Sequence, residues 1–117
     1  MDIENGIKAL SALAQGSRLE IFRLLVKAGP NGLAAGEVAR QLGIAPNTLS
    51  THLAILANSG LIRVRRASRS RIYAAQYDAI RQLLAFLMED CCQGKPEVCG
   101  PLLDIVAGCG TLQRSCS

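Results

Sequence analysis

Aromatic side chains are scarce in this chain of 117 residues: Phe22, Phe86, Tyr73 and Tyr77 are all there are, and tryptophan is missing. Single-stranded nucleic acid and RNA are gripped largely by bases stacking on exposed rings, so that class of partner is disfavoured. Histidine occurs once, as His52, with no potential co-ligand placed near it in the sequence. Its expected part is therefore DNA-facing or hydrogen-bonding rather than metal-binding. No apolar run is long enough to span a membrane, and MDIENGIKAL lacks the basic-then-apolar plan of a secretory signal, which points to the cytoplasm. Internal repeats and low-complexity tracts are absent. Cysteine is missing from the first 90 residues, and no C-x-x-C occurs anywhere. Without that motif, a βαβ pattern or a histidine near the thiols, a thiol oxidoreductase is opposed and no catalytic residue is assigned.

What is present begins with charge. The net charge is +4, and Arg63, Arg65, Arg66, Arg69 and Arg71 fall within nine residues. Without those five arginines the remainder would stand at −1, so the positive field belongs to one element, as expected of a nucleic-acid footprint.

Just before the arginines lies GEVARQLGIAPNTLSTHLAILANSG, Gly36 to Gly60, which reads as two helices joined by a tight turn. The first carries Val38, Ala39 and Leu42 at helical spacing and stops at Gly43, a residue that accepts left-handed backbone. Pro46 suits the first turn of the second helix, where a missing N–H costs nothing. Leu49, Leu53 and Leu56 then form one apolar stripe for the core. Around the rest of that helix sit Asn47, Thr48, Ser50, Thr51, His52, Ala54 and Asn58. Amides and hydroxyls on short stems can donate and accept at base edges in the major groove. A solvated helix face would look similar taken alone; the next segment favours DNA.

That segment, LIRVRRASRSRIYAA, predicts a hairpin of Leu61 to Arg66 and Arg71 to Ala75 around the polar turn Ala67 to Ser70. Alternation predicts Ile62 and Val64 inward and guanidinium groups outward. Arginine pairs bidentately with phosphate, so the wing would hold the duplex while the helix reads it. A charged edge strand kept from aggregating is the competing account of the arginines alone.

The flanks predict further helices. Ile3 to Gln15 places Ile7, Leu10, Leu13 and Ala14 on one greasy side, with Asp2 and Glu4 near its positive end. A second helix starts near Ser17, with Glu20 three residues on, and runs through Ile21, Phe22, Leu24, Leu25 and Val26 to Ala28; GPNGLAA then links it to the helix pair. The last helix, Asp78 to Cys92, carries a wide stripe of Ile80, Leu83, Leu84, Leu87 and Met88, best covered by its twin and by the first helix in a two-fold dimer. The expected fold is therefore mainly α with a small β hairpin: a dimeric winged helix-turn-helix. Residues 1–92 would form the DNA-binding and dimerisation domain, self-associating through 3–15 and 78–92, and 93–117 a cysteine-containing tail.

LAQGSRLEIFRLLV, the helix pair ending STHLAIL, Gly60-Leu61 and the wing ending in RIY, taken in order, resemble the arsenical-resistance repressor (ArsR/SmtB-type) family of metal-sensing winged-helix regulators over about the first 90 residues. The resemblance implies a homodimeric repressor that binds operator DNA and releases it when a metal or metalloid ion binds. One departure matters. Aligned with the cysteines that the best-known arsenic sensors carry before the reading helix, this chain has Ala34, Gly36 and Ala39, none able to bind an ion.

All five cysteines, Cys91, Cys92, Cys99, Cys109 and Cys116, lie in the last quarter. In a cytosolic protein such clustering argues for a metal or redox site before a structural disulfide, and thiolates select soft ions. CCQGKPEVCG is the best candidate: Cys91 and Cys92 at a helix end, then a Gly-Lys-Pro turn able to bring Cys99 back. Adjacent helical residues diverge by about 100°, so the two can share an ion only if the helix unwinds there. Three thiolates suit three-coordinate arsenic(III), with antimony(III) a second possibility, and some arsenic-sensing relatives place cysteines at this end of the last helix. Tetrahedral zinc would want a fourth ligand, from Cys109 or Cys116. Reversible disulfide or persulfide chemistry on the same thiols is the alternative signal.

Overall fold

The computed structural model describes residues 1–89, of which Met1–Phe86 form one compact unit. The expected ligands Cys91, Cys92 and Cys99, together with Cys109 and Cys116, lie outside the described residues. Five helices and three short strands follow in the order α1 (Ile3–Leu13), α2 (Gly16–Ala28), β1 (Leu33–Ala34), α3 (Ala35–Leu42), α4 (Pro46–Asn58), β2 (Ile62–Ala67), β3 (Ser70–Ala75) and α5 (Tyr77–Leu87).

Helix α1 opens as its charges dictate: the Asp2 carboxylate accepts from the Asn5 N–H at 2.8 Å, and Glu4 stands in the first turn. The greasy side expected for it is not the side its own core takes. The buried positions are the small ones, Gly6, Ala9 and Ala12, while Ile7 is 59% and Leu10 42% exposed. Small residues let α1 come close to its neighbours; a Cβ on Gly6 would lie 2.8 Å from the Phe86 ring of α5. The bulky aliphatic face of α1 consequently points away from its own core.

Helix α2 starts at Gly16, with Gln15 rather than Ser17 as its cap. The Gln15 side chain accepts from Arg18 N–H at 2.8 Å, and Arg18 in turn donates its Nε to the Ala12 carbonyl at 2.7 Å, satisfying one of the acceptors left open at the end of α1. Ser17, already inside the first turn, has no such part. Ile21 and Leu25 of α2 are fully buried and join Val38, Leu49, Leu53, Leu56, Leu61 and Ile62 in a single core. Not all of the helix's apolar residues are inside: Leu19 and Val26 are exposed.

The segment expected to be a plain linker supplies a strand. Leu33 and Ala34 pair antiparallel with Tyr73 and Ile72, so the sheet has three strands in the order β1-β3-β2 rather than being a bare hairpin. Gly32 makes the entry possible: its φ is +73°, and a Cβ there would stand 2.3 Å from the Tyr73 carbonyl oxygen.

After the sheet, Tyr77 donates its hydroxyl to the Val26 carbonyl at 3.1 Å, tying the start of α5 to the end of α2. The helix ends at Leu87, short of the expected Cys92, with Met88 and Glu89 in a turn. Leu83 is buried and Leu84 is 44% exposed. Among the described residues no helix is long and apolar enough to cross a membrane.

Candidate nucleic-acid interface

The helix pair is built as its residues require. Gly43 terminates α3 at φ +64°, and its own N–H and that of Ile44 both donate to the Ala39 carbonyl. Pro46 then occupies the first turn of α4, where the orphan N–H positions lie. Val38 of α3 and the expected stripe Leu49, Leu53 and Leu56 of α4 are 2% exposed or less. With that stripe committed inward, Asn47, Thr48, Ser50 and Thr51 are left exposed on the first two turns of α4. Thr51 donates its hydroxyl to the Asn47 carbonyl at 3.3 Å, which fixes the rotor and leaves the oxygen's lone pairs for an incoming donor.

His52 stands apart from these four. It is only half exposed, and its Nδ1 is buried without a hydrogen-bond partner among the described residues. The other ring nitrogen carries no such restriction.

Helix α3 adds little net charge. Arg40 pairs with Glu37, whose carboxylate also accepts from the Gln41 amide at 2.7 Å. The Arg40 hydrogen bond, then that of Gln41, holds the Glu37 carboxyl below the usual carboxylate range, and Glu37 correspondingly raises Arg40. The positive field is left to the wing.

In the wing, β2 pairs with β3 from Ile62 opposite Ala75 to Ala67 opposite Ser70, and Ser68 adopts φ +61° in the tight turn. This register corrects the expected division of faces. Residues directly opposite share a face, so Arg66 and Arg71 lie on the side of Ile62, Val64, Tyr73 and Ala75, and Arg63 and Arg65 on the other with Ile72 and Ala74. Ile62 is buried as expected, whereas Val64, beyond the edge of the core, is 48% exposed.

The five arginines are not equivalent. Arg63 donates to the Pro30 carbonyl at 3.1 Å and Arg65 to the Asn31 carbonyl at 3.2 Å, bracing the wing against the turn that precedes β1. Arg66, Arg69 and Arg71 are exposed and have no partner among the described residues. No sequence signal marked Pro30 and Asn31 as anchors, because their carbonyls act through backbone atoms that every residue possesses.

A family model described as a helix-turn-helix domain matches residues 13–65. The HTH-type transcriptional regulator YgaV of Escherichia coli is 30% identical over 76% of this chain and 88% of its own length. The transcriptional activator HlyU of Vibrio cholerae is 30% identical over 77% of this chain and 83% of its own. The solved structure of reduced HlyU from Vibrio cholerae superposes with a TM-score of 0.60 and 27% identity, covering 76% of this chain and 90% of that one.

Proposed function

Because the chain belongs to the HTH-type transcriptional regulators with a winged helix-turn-helix, we propose that it is a cytoplasmic repressor that binds operator DNA as a homodimer and lets go when arsenite, or antimonite, is captured by its C-terminal cysteines. It is a regulator and not an enzyme, as its relatives are.

The observation that carries the DNA half is the exposure of Asn47, Thr48, Ser50 and Thr51 on α4, opposite a fully buried leucine stripe and followed in the chain by the arginine wing. The first supplies base-edge donors and acceptors, the second phosphate contacts. Two-fold association is supported by the aliphatic side chains left uncovered on α1 and α5, Ile3, Ile7, Leu10 and Leu84. Two reading helices on a symmetric dimer would meet half-sites about 34 Å apart, one turn of B-DNA.

The signal half rests on donor chemistry. Cys91, Cys92 and Cys99 offer three soft thiolates within nine residues, with no histidine beside them. Such a set suits a thiophilic three-coordinate ion; when bound, arsenic(III) would supply covalent cross-linking of the three sulfurs. Capture just past the end of α5 would bias the dimer away from the spacing that the operator demands, and a coupling of about 1–3 kcal/mol makes a usable switch. Anaerobic arsenite titration of a fluorescent operator complex tests this. Release by arsenite, lost in Cys91→Ser, Cys92→Ser and Cys99→Ser proteins that still bind DNA, is the expected result; an arsenite-loaded protein that stays on DNA as firmly as the empty one would refute it.

A second signal is favoured by one observation: a matched relative has been solved in a form described as reduced. On that reading the same thiols form a reversible disulfide or persulfide. Release by peroxide or polysulfide, with none by arsenite, would select it.

A further inference from the structure

On the flank of the Met1–Phe86 unit a cleft of about 470 Å³ opens between α1 and the C-terminal end of α4. Lys8, Ser11 and Ala12 of α1 form one wall, Ile55, Asn58 and Ser59 the other, and Arg18 from the first turn of α2 closes one side. The cleft uses a stripe of α1 distinct from the uncovered aliphatic one, since Lys8, Ser11 and Ala12 recur at i, i+3 and i+4 while Ile3, Ile7 and Leu10 follow their own.

Three features of this cleft bear on what it could hold. Its charge is of one sign: Lys8 and Arg18 line it, no carboxylate does, and neither cation is in an ion pair among the described residues, where the pairs are Glu37 with Arg40 and Asp78 with Arg81. Arg18 spends its Nε on the Ala12 carbonyl, which pins the guanidinium in place and leaves its terminal N–H groups without a partner. Ile55 is 37% exposed, whereas the leucines of its own helix are buried.

A pinned guanidinium, an exposed ammonium and an amide around an aliphatic wall match a carboxylate or sulfonate attached to a small apolar body. The cleft is open along one side, so such a group would be held against the surface by its charged end and not enclosed. We propose that this cleft is a binding site for a small organic anion of that kind, held by Lys8 and Arg18 at its charged end and by Ile55 at its apolar end. The site is separate from the thiol chemistry, and its occupant bridges α1, which carries the uncovered aliphatic face, to the reading helix. Binding itself requires no DNA and is tested without it.

Benzoate is a suitable probe and benzamide its uncharged counterpart. Titrated into the ¹⁵N,¹³C-labelled protein, benzoate should give saturable shifts centred on the Ile55 methyls, the Asn58 side-chain amide and the Ala12 methyl, with a Kd of about 1 mM or tighter. Benzamide should bind at least about tenfold more weakly, and Lys8→Glu, a change at an exposed position, should weaken benzoate by a similar factor with an unchanged thermal unfolding curve. Shifts that do not saturate by about 10 mM, that scatter over the aliphatic face of α1, or that persist in Lys8→Glu and equally with benzamide would overturn the site. None of these results depends on operator binding or on arsenite, so a failure here leaves the repressor reading standing, and the reverse.

Discussion

Arg66 of β2 and Arg71 of β3 stand directly opposite each other in the wing, both exposed and neither with a partner among the described residues. Like charges in that relation destabilise a sheet, so the pair opposes folding unless something anionic lies across it. Duplex phosphate is such a group. Replacing either by Ala should lower the slope of log K against log salt by about 1 and weaken DNA binding uniformly across sequences, while leaving the thermal midpoint unchanged or slightly higher. Anisotropy titrations at several salt concentrations check the first part, a melting curve the second.

Arg63 and Arg65 should behave in the opposite way. Each donates to a loop carbonyl, so Arg63→Ala or Arg65→Ala should cost about 1 kcal/mol of stability and lower DNA affinity less than the Arg66 or Arg71 change does. Urea denaturation paired with the same DNA titrations separates bracing from phosphate contact.

Gly32→Ala should be among the most damaging single changes in the chain. The new methyl would combine left-handed backbone with a clash on the Tyr73 carbonyl oxygen, for a loss of about 2–4 kcal/mol. Gly36→Ala, on a helix with nothing within 4 Å of the added carbon, should be neutral or stabilising. Parallel urea curves test the contrast.

Ile7→Glu and Leu84→Glu should shift the protein towards monomer without unfolding it, since both side chains are largely exposed in the single chain. Sedimentation velocity should show the mass change, and operator affinity should fall with it because one of two half-site grips is lost. Circular dichroism should remain as in the parent.

The Glu37 pair predicts a pH dependence. A carboxyl held below its usual range stabilises the fold above the unfolded-state value and loses that contribution as pH falls through the folded-state value. The difference in melting midpoint between the parent and Glu37→Gln should therefore be present at neutral pH and shrink under acid conditions below the carboxylate range. A difference that grows with acid would contradict the assignment.

The helix-turn-helix was legible from particular residues. Gly43, Pro46 and the three leucines of α4 each state a backbone or burial requirement that only one local structure meets. The faces of α1 and of the wing were not. Periodicity shows that a helix has a greasy side but not whether that side packs within the chain or against another molecule, and on α1 Gly6, Ala9 and Ala12 took the inner positions. In the wing, alternation marks two faces without saying where the core stops, so Val64 lies outside it although Ile62 lies inside. Strand β1 was missed because two residues carry no period at all. The three proposed thiol ligands were legible as a cluster of soft donors, a matter of composition and spacing alone.

Strand β1 has one more effect. By pairing with Ile72 and Tyr73 it covers the middle of the β3 flank and leaves β2, dense in arginine, as the full-length border of the sheet. A border crowded with guanidinium groups repels a second copy of itself, so edge-to-edge growth of this sheet is opposed by charge before any backbone pairing can begin.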